Sequence, residues 1–348
     1  MTRLADPGAE RPDRTTSMRE VADRAGVAMS SVSRVLSGHP DVSTAMRRRV
    51  LTVVEELGYE PNLLAQSLRR GATMSVGFVV RDISSPLFSE IALGAETVLR
   101  ASGYSMLLTN SEGSPDLDAQ HVRLFRQRRV DGLLLSLADE AFEPTMEELE
   151  RLSVPFVLID RELADSERRS SAVLCDHAAG MRRAVDALVA AGHRRIGLVG
   201  GPPTLRPGRE CARAVYAACA EHGVDVIVDE GSFTAEHGSS ATHRMLGSGG
   251  SPTALIAGSN QILPGVLRAL RERSLRIPEN ISLVTFDDVL LLEFLEPAIA
   301  VVSREPLTIG QEAASLLLRL LGGGQPEQIV VPTLFDPRSS IAPPHGPA

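Results

Sequence analysis

Two short apolar stripes of helical period flank a single glycine in MREVADRAGVAMSSVSRVLSG, Met18 to Gly38, and few folds accommodate that arrangement. Before the glycine, Val21, Ala22 and Ala25 fall on one helical face. Gly26 can take the positive φ of a tight turn at no steric cost. After it, Val32, Val35 and Leu36 repeat the i, i+3, i+4 spacing among serines. Neither segment is long enough to stay helical in water alone, so each needs a partner face. Ser43 offers an N-cap for a third helix with Val50, Val53, Val54 and Leu57 inside and Gly58 at its end. Together they make a helix-turn-helix unit, expected over residues 18–60.

In such a unit the second helix lies outermost, with its N-terminal end toward base edges when DNA is bound. Here the second helix leaves Met29, Ser30, Ser31 and Arg34 facing outward. Small hydroxyls donate to or accept from bases, and an arginine fork grips guanine. A solvated face of a helical subdomain is the other reading of the same four residues. Charge is uneven in the direction the first reading needs. Residues 18–72 hold eight Arg against six Asp or Glu, while the whole chain is −8 and contains no lysine.

Composition removes several classes. No run approaches the ~20 apolar residues of a membrane helix, so no membrane partner is expected. Residues 1–17, MTRLADPGAERPDRTTS, lack the apolar centre of a secretory signal and read as a disordered tail. Cys175, Cys211 and Cys219 have neither metal-ligand nor CxxC spacing and suit reduced thiols in the cytoplasm. The chain shows no GxSxG and no strand-linked GxGxxG, and its eight His are scattered. No catalytic group, cofactor or metal site is expected, and the chain reads as a non-enzyme. His193 in AGHRRIG reads as a turn residue at a helix end.

EPNLLAQSLRRGAT follows the helical unit. Pro61 stops the preceding helix, Asn62 can cap a new one, and Leu64, Ala65 and Leu68 form a small stripe. A helix of about nine residues is unstable alone. Residues 61–73 are therefore either a flexible linker or a hinge helix that a partner orders. From Ser75 onward strands and helices alternate: SVGFVV, SMLLTN, VDGLLLSL and PFVLID, then SAVLCD, RIGLVGG, TALIAGS and ISLVTFDD. Alternation of this kind builds parallel βαβ units. Asp160, Asp176 and Asp287 close strands, at the edge where such sheets bind ligands.

VADRAGVAMSSVSRVLSG followed by VSTAMRRRVLTVVEELGYEPNLLAQSLR closely resembles the DNA-binding headpiece of the LacI/GalR family of transcriptional regulators. The match is gapless from Met18 to about Gly71, and weaker family-like phrases continue to about Ser340. The resemblance implies a helix-turn-helix headpiece and hinge helix followed by a two-subdomain α/β sensor like type I periplasmic binding proteins, over residues 74–340. It implies crossings between subdomains near 160–163, 303–305 and 324–328, and a tail at 341–348. It also implies a homodimer on a palindromic operator with a central CpG, each hinge helix wedging Leu68 into the minor groove with Arg69 beside it and Asn62 at its start. Such regulators sit in the cytoplasm at the nucleoid and are most often repressors.

By the same resemblance a small-molecule effector, often a sugar, occupies the sensor cleft. Asp160 and Asp287 then reach it and Phe88 stacks on it; helix capping for Asp287 and core packing for Phe88 are the competing readings. Three positions depart from the family pattern: Cys211 stands where relatives carry Arg, Ser259-Asn260 where they carry Asn-Asp, and Glu305 where they carry Gln. Arg209 or Arg213 substitutes for the lost Arg if the alignment slips by two. A pocket that has lost its ligand, a solute-binding protein and an α/β enzyme with Cys211 as nucleophile are the alternatives.

Overall fold

The computed structural model describes residues 16–59, 71–163, 170–247 and 250–344. The chain divides into two units, residues 1–73 and 74–348. The expected hinge residues Asn62, Leu68 and Arg69 lie outside the described residues.

In the first unit, Ser17 starts helix α1 (Met18–Ala25) with a capping box: its Oγ accepts the Glu20 N–H while Glu20 Oε2 accepts the Ser17 N–H at 2.8 Å. Two orphan amides are thereby satisfied. Thr16 Oγ1 also donates to the Leu57 carbonyl at 3.1 Å. Thr16 and Ser17 thus belong to the helical unit and not to a tail ending at 17. Gly26, at φ 62°, turns the chain into α2 (Met29–Leu36), and Ser43 caps α3 (Thr44–Glu56). Val21, Val32 and Val50 are fully buried between the three helices, with Val35, Val53 and Tyr59 closing the core.

The second unit contains two six-stranded sheets. The first has the order β2-β1-β3-β4-β5-β11: Ser105–Asn110, Ser75–Val80, Gly132–Leu135, Phe156–Ile159, Ser170–Cys175 and Gln328–Val331. The second has the order β7-β6-β8-β9-β10-β12: Asp225–Glu230, Arg195–Gly200, Ala254–Ala257, Ser282–Phe286, Ala300–Ser303 and Leu334–Asp336. All pairings are parallel except β10 with β12. Central strands are buried along their whole length because helices cover both faces. Helices α4 (Pro86–Ala101), α5 (Pro115–Arg128), α6 (Glu143–Glu150) and α11 (Pro306–Leu321) clothe the first sheet. Helices α7 (His177–Ala190), α8 (Arg206–His222), α9 (Ala235–Gly247) and α10 (Leu263–Glu272) clothe the second. Among the described residues no helix is long and apolar enough to cross a membrane.

The crossings differ from expectation at two of three places. The chain first leaves the β1 sheet after Cys175, not at 160–163, because β5 pairs in parallel with β4 (Ile159 opposite Val173) and so stays in that sheet. It returns between Ser303 and Pro306. It leaves for the last time between Val331 and Leu334, not at 324–328, because β11 adds to β5 beforehand. The C-terminal stretch is also no free tail from 341. Ser282 Oγ donates to the Ala342 carbonyl at 3.1 Å and accepts its N–H at 3.0 Å, and Ile341 packs on the second core.

In each sheet the strand order reverses direction once, between β1 and β3 and between β6 and β8. Such switch points open crevices at the carboxyl edge, where ligands bind.

Candidate functional site

Two surfaces carry chemistry, one in each unit. In the first, α2 turns Val32 and Val35 inward and leaves Met29 (52% exposed), Ser30 and Arg34 outside, with Ser31 half-buried. Among the described residues Arg34 makes no ion pair, so its fork is available. The N-cap of α2 is Ala28, with no side-chain acceptor for the first amides. Those amides and the positive end of the helix dipole are what an anion meets there.

In the second unit, a cleft with about 600 Å³ of space, solvent at its mouth included, lies along the carboxyl edges of both sheets. Leu87, Phe88, Ile91, Ile159 and Ile309 supply apolar wall from the β1 side, and Phe233, Phe286, Pro207 and Cys211 from the β6 side. Arg81 and Ser136 stand at the first switch point, Gly258, Ser259 and Asn260 at the second. Gln261 spans the mouth: Arg81 Nη1 donates to its Oε1 at 3.3 Å, and its Nε2 donates to Asp82 Oδ2 at 2.6 Å.

The centre of the cleft is ionic. Asp160 and Asp287 end β4 and β9 in equivalent places, each with left-handed backbone (φ 51° and 67°) that aspartate tolerates better than most residues. Arg304, just after β10, joins them. Its Nε and Nη2 donate to the two oxygens of Asp287 at 2.7 and 3.1 Å, and its Nη1 donates to Asp160 Oδ2 at 2.6 Å. Arg206 Nη1 donates to Asp160 Oδ1 at 2.8 Å, and His177 Nε2 lies 2.9 Å from Oδ2. Burial pushes the Asp160 carboxyl up, but His177, Arg304 and Arg206 together hold it well below the usual carboxylate range. Burial likewise opposes the charge of Arg304, yet Asp287 and Asp160 hold it well above the ordinary arginine value. Charges this deep persist only when paired.

Asp160, Cys175 and His177 bring potential metal-ligand atoms within 4.8 Å of one another. Arg304 Nη1 fills that position, 3.5 Å from Cys175 Sγ as well as bonded to Asp160. Burial, with Asp160 beside it, pushes the Cys175 thiol up to about 12. Cys211 is buried, its Sγ 3.6 Å from His177 Nδ1, and burial raises its thiol too. It lacks the thiolate character of a nucleophile.

Phe88, Asp160, Cys211, Ser259 and Asp287 all line the cleft, Phe88 while also packing in the core beneath it. Glu305 does not: it is exposed at the N-cap of α11, and its neighbour Arg304 turns inward instead. Neither Arg209 nor Arg213 takes the place beside Asp160. Arg209 pairs with Glu140 at 3.1 Å and Arg213 with Glu210 at 3.0 Å, while Arg206 and Arg304 hold Asp160. Sequence reasoning passed over Arg81, His177, Arg206, Phe233 and Arg304. A charged residue directly after an apolar strand, in VVRD and VVSRE, was the available signal for two of them.

Residues 17–62 match the family described as bacterial regulatory proteins, lacI family, and residues 185–341 match the periplasmic binding protein-like domain. Catabolite control protein A of Priestia megaterium is 30% identical over 308 residues, 87% of this chain and 91% of that protein. The ribose operon repressor of Escherichia coli (strain K12) is 30% identical over 331 residues, 94% and 97% of the two chains. A crystal structure of the Lac repressor bound to ONPG in the repressed state aligns with a TM-score of 0.82 at 26% identity, covering 94% of this chain and all of that one.

Proposed function

Because this chain belongs to the lacI family of bacterial regulatory proteins and is a DNA-binding transcriptional regulator, we propose that it is a homodimeric repressor acting in the cytoplasm at the nucleoid. In this reading Met29, Ser30, Ser31 and Arg34 read base edges in the major groove of a palindromic operator. Asn62, Leu68 and Arg69 form the hinge that opens a central CpG step. A small molecule in the cleft between the two sheets sets the operator affinity. The observation that carries the reading is the outward face of α2, with an unpaired Arg34 and two serines held on a closed three-helix core.

An effector acts by binding one sensor conformation better than the other. A 100-fold preference corresponds to about 2.7 kcal/mol of coupling to operator affinity. The chain passes between the two sheets three times and the cleft lies between them, so their angle is the variable such a ligand would control.

Sequencing of genomic fragments retained by the purified protein should return a recurrent palindrome with CpG at its centre. On that site Arg34→Ala should lose about 1–3 kcal/mol of affinity, read by fluorescence anisotropy, with the circular dichroism of the chain unchanged. Random enrichment, or full affinity in Arg34→Ala, would remove the assignment of α2 as the reading helix.

A further inference from the structure

The hydrogen-bond inventory of the cleft restricts what it can hold. Asp160 accepts from Arg304, Arg206, His177 and the Cys175 N–H, the last at 3.2 Å. Those four fill the acceptor sites of a carboxylate. Asp287 gives both oxygens to the Arg304 fork. A neutral sugar is held largely by acceptors that take its hydroxyl protons; here Asp160 is filled, and Asp287 keeps only the lone pairs that the Arg304 fork leaves.

What remains open is a set of donors. Arg81 Nε, Asn260 Nδ2 and Ser136 Oγ are buried and meet no hydrogen-bond partner, and all three residues line the cleft. Ser136 is only 1% exposed. Arg81 and Ser136 are neighbours, because the Ser136 N–H pairs with the Val79 carbonyl across β1 and β3. Asn260 closes the same space from the opposite switch point. The Phe233 ring lies 5.2 Å from the Arg81 guanidinium and helps fix its plane. Of the carboxylates near Arg81, Asp82 is engaged with Gln261 and Ser84, while Asp118 takes the Ala138 N–H on Oδ2 at 2.6 Å and keeps its buried Oδ1 without a partner, outside the residues that line the cleft. The walls beside these donors are apolar, Phe88, Phe286 and Ile309 among them.

We propose that Arg304 is a specificity-determining residue that occupies the position between Asp160 and Asp287, so that the effector is a small carboxylate on an apolar body, its anionic head at Arg81, Ser136 and Asn260, and not a neutral sugar. The proposal rests on the reading of the cleft as the effector site and names the class of ligand for it. A planar guanidinium offers a carboxylate charge-assisted, paired hydrogen bonds that a hydroxyl cannot match.

Calorimetric titration of the full-length protein with phenylacetate, phenylacetamide and ribose tests this. Phenylacetate should bind about tenfold or more tightly than its neutral amide, Arg81→Met should erase that difference, and ribose should give no saturable heat. Arg304→Lys keeps the charge but surrenders the fork, freeing acceptor sites on Asp287, and should admit ribose. Saturable ribose binding by the unaltered chain overturns the proposal. So does phenylacetate binding that is absent, no tighter than the amide, or indifferent to Arg81→Met, and so does continued refusal of ribose by Arg304→Lys. Operator affinity is measured separately through α2, so failure here leaves the regulator reading standing.

Discussion

Ala28 stands at the N-cap of α2 with extended backbone (φ −68°, ψ 149°), the conformation in which a serine or aspartate side chain would reach the N2 or N3 amide. The neighbouring helices α1 and α3 both have serine caps that do this. Ala28→Ser should therefore stabilise the helical unit by about 1 kcal/mol, seen as a higher midpoint in its thermal unfolding; an unchanged midpoint would mean water already serves those amides as well. His193 makes a second residue-scale case. Read from the sequence as a turn residue, it is buried, with Nδ1 2.8 Å from Thr253 Oγ1 and Nε2 2.9 Å from Ser282 Oγ. Burial lowers its pKa from the ordinary 6.5. Below that pH the unfolded chain takes up a proton that the folded chain does not, so stability is full above about 6.5 and declines as pH falls toward the folded value. Urea midpoints from pH 8 down to 5.5 should show this decline, and His193→Asn should be weaker at pH 8 but flatter. Parallel curves for the two proteins would rule His193 out as the source.

At the scale of elements, much of the architecture follows from period alone. The three-helix unit is legible because Val21, Ala22 and Ala25, then Val32, Val35 and Leu36, then Val50, Val53 and Val54 each form a stripe at helical spacing, and the βαβ series because short apolar runs such as SVGFVV and ISLVTF suit strands buried on both faces. Which sheet a strand joins is not written in its own residues. SSAVLC reads identically at the end of one subdomain or the start of the next, and only its pairing with β4 decides. Arg304 was missed for a related reason: its partners, Asp160 and Asp287, lie 144 and 17 residues away and meet only after both sheets form. Small residues carry another long-range message. A Cβ on Gly310 of α11 would lie 2.0 Å from the Ile91 carbonyl of α4, and one on Gly94 would lie 2.2 Å from the Leu307 carbonyl. The two helices thus cross at backbone contact. Gly310→Ala gains about 1 kcal/mol of helix propensity but must force the helices apart, an overpacking cost of about 1–3 kcal/mol or more. Net destabilisation is expected in urea unfolding, and a variant as stable as the parent would show that α4 and α11 can re-space freely.

At the scale of the whole molecule, charge is divided between the two units. The chain is −8 overall, yet residues 18–72 carry two more Arg than acids. A dimer on an operator therefore carries sixteen arginines in these segments, while the rest of the chain is net acidic. Among the described arginines of each segment, Arg24 lies 3.7 Å from Glu56 and Arg47 donates to the His39 carbonyl. With six to ten phosphates neutralised, log affinity should fall against log salt with a slope of about −5 to −9, a loss of roughly 10³–10⁵ between 50 and 200 mM salt. Because every cation is an arginine, none of this slope can be lost to lysine deprotonation in alkaline buffer. The slope also separates two roles for Arg34 that its exposure alone leaves equal. If Arg34 holds a base, Arg34→Gln keeps the slope and relaxes preference at one position of each half-site. If it holds a phosphate, affinity falls on every sequence and the slope shrinks by about one per protomer, two for the dimer. The position of Arg34, on the outer face of α2 beside Ser30 and Ser31, favours the first outcome. A reduced slope with unchanged sequence preference would move base reading to Met29 and the serines.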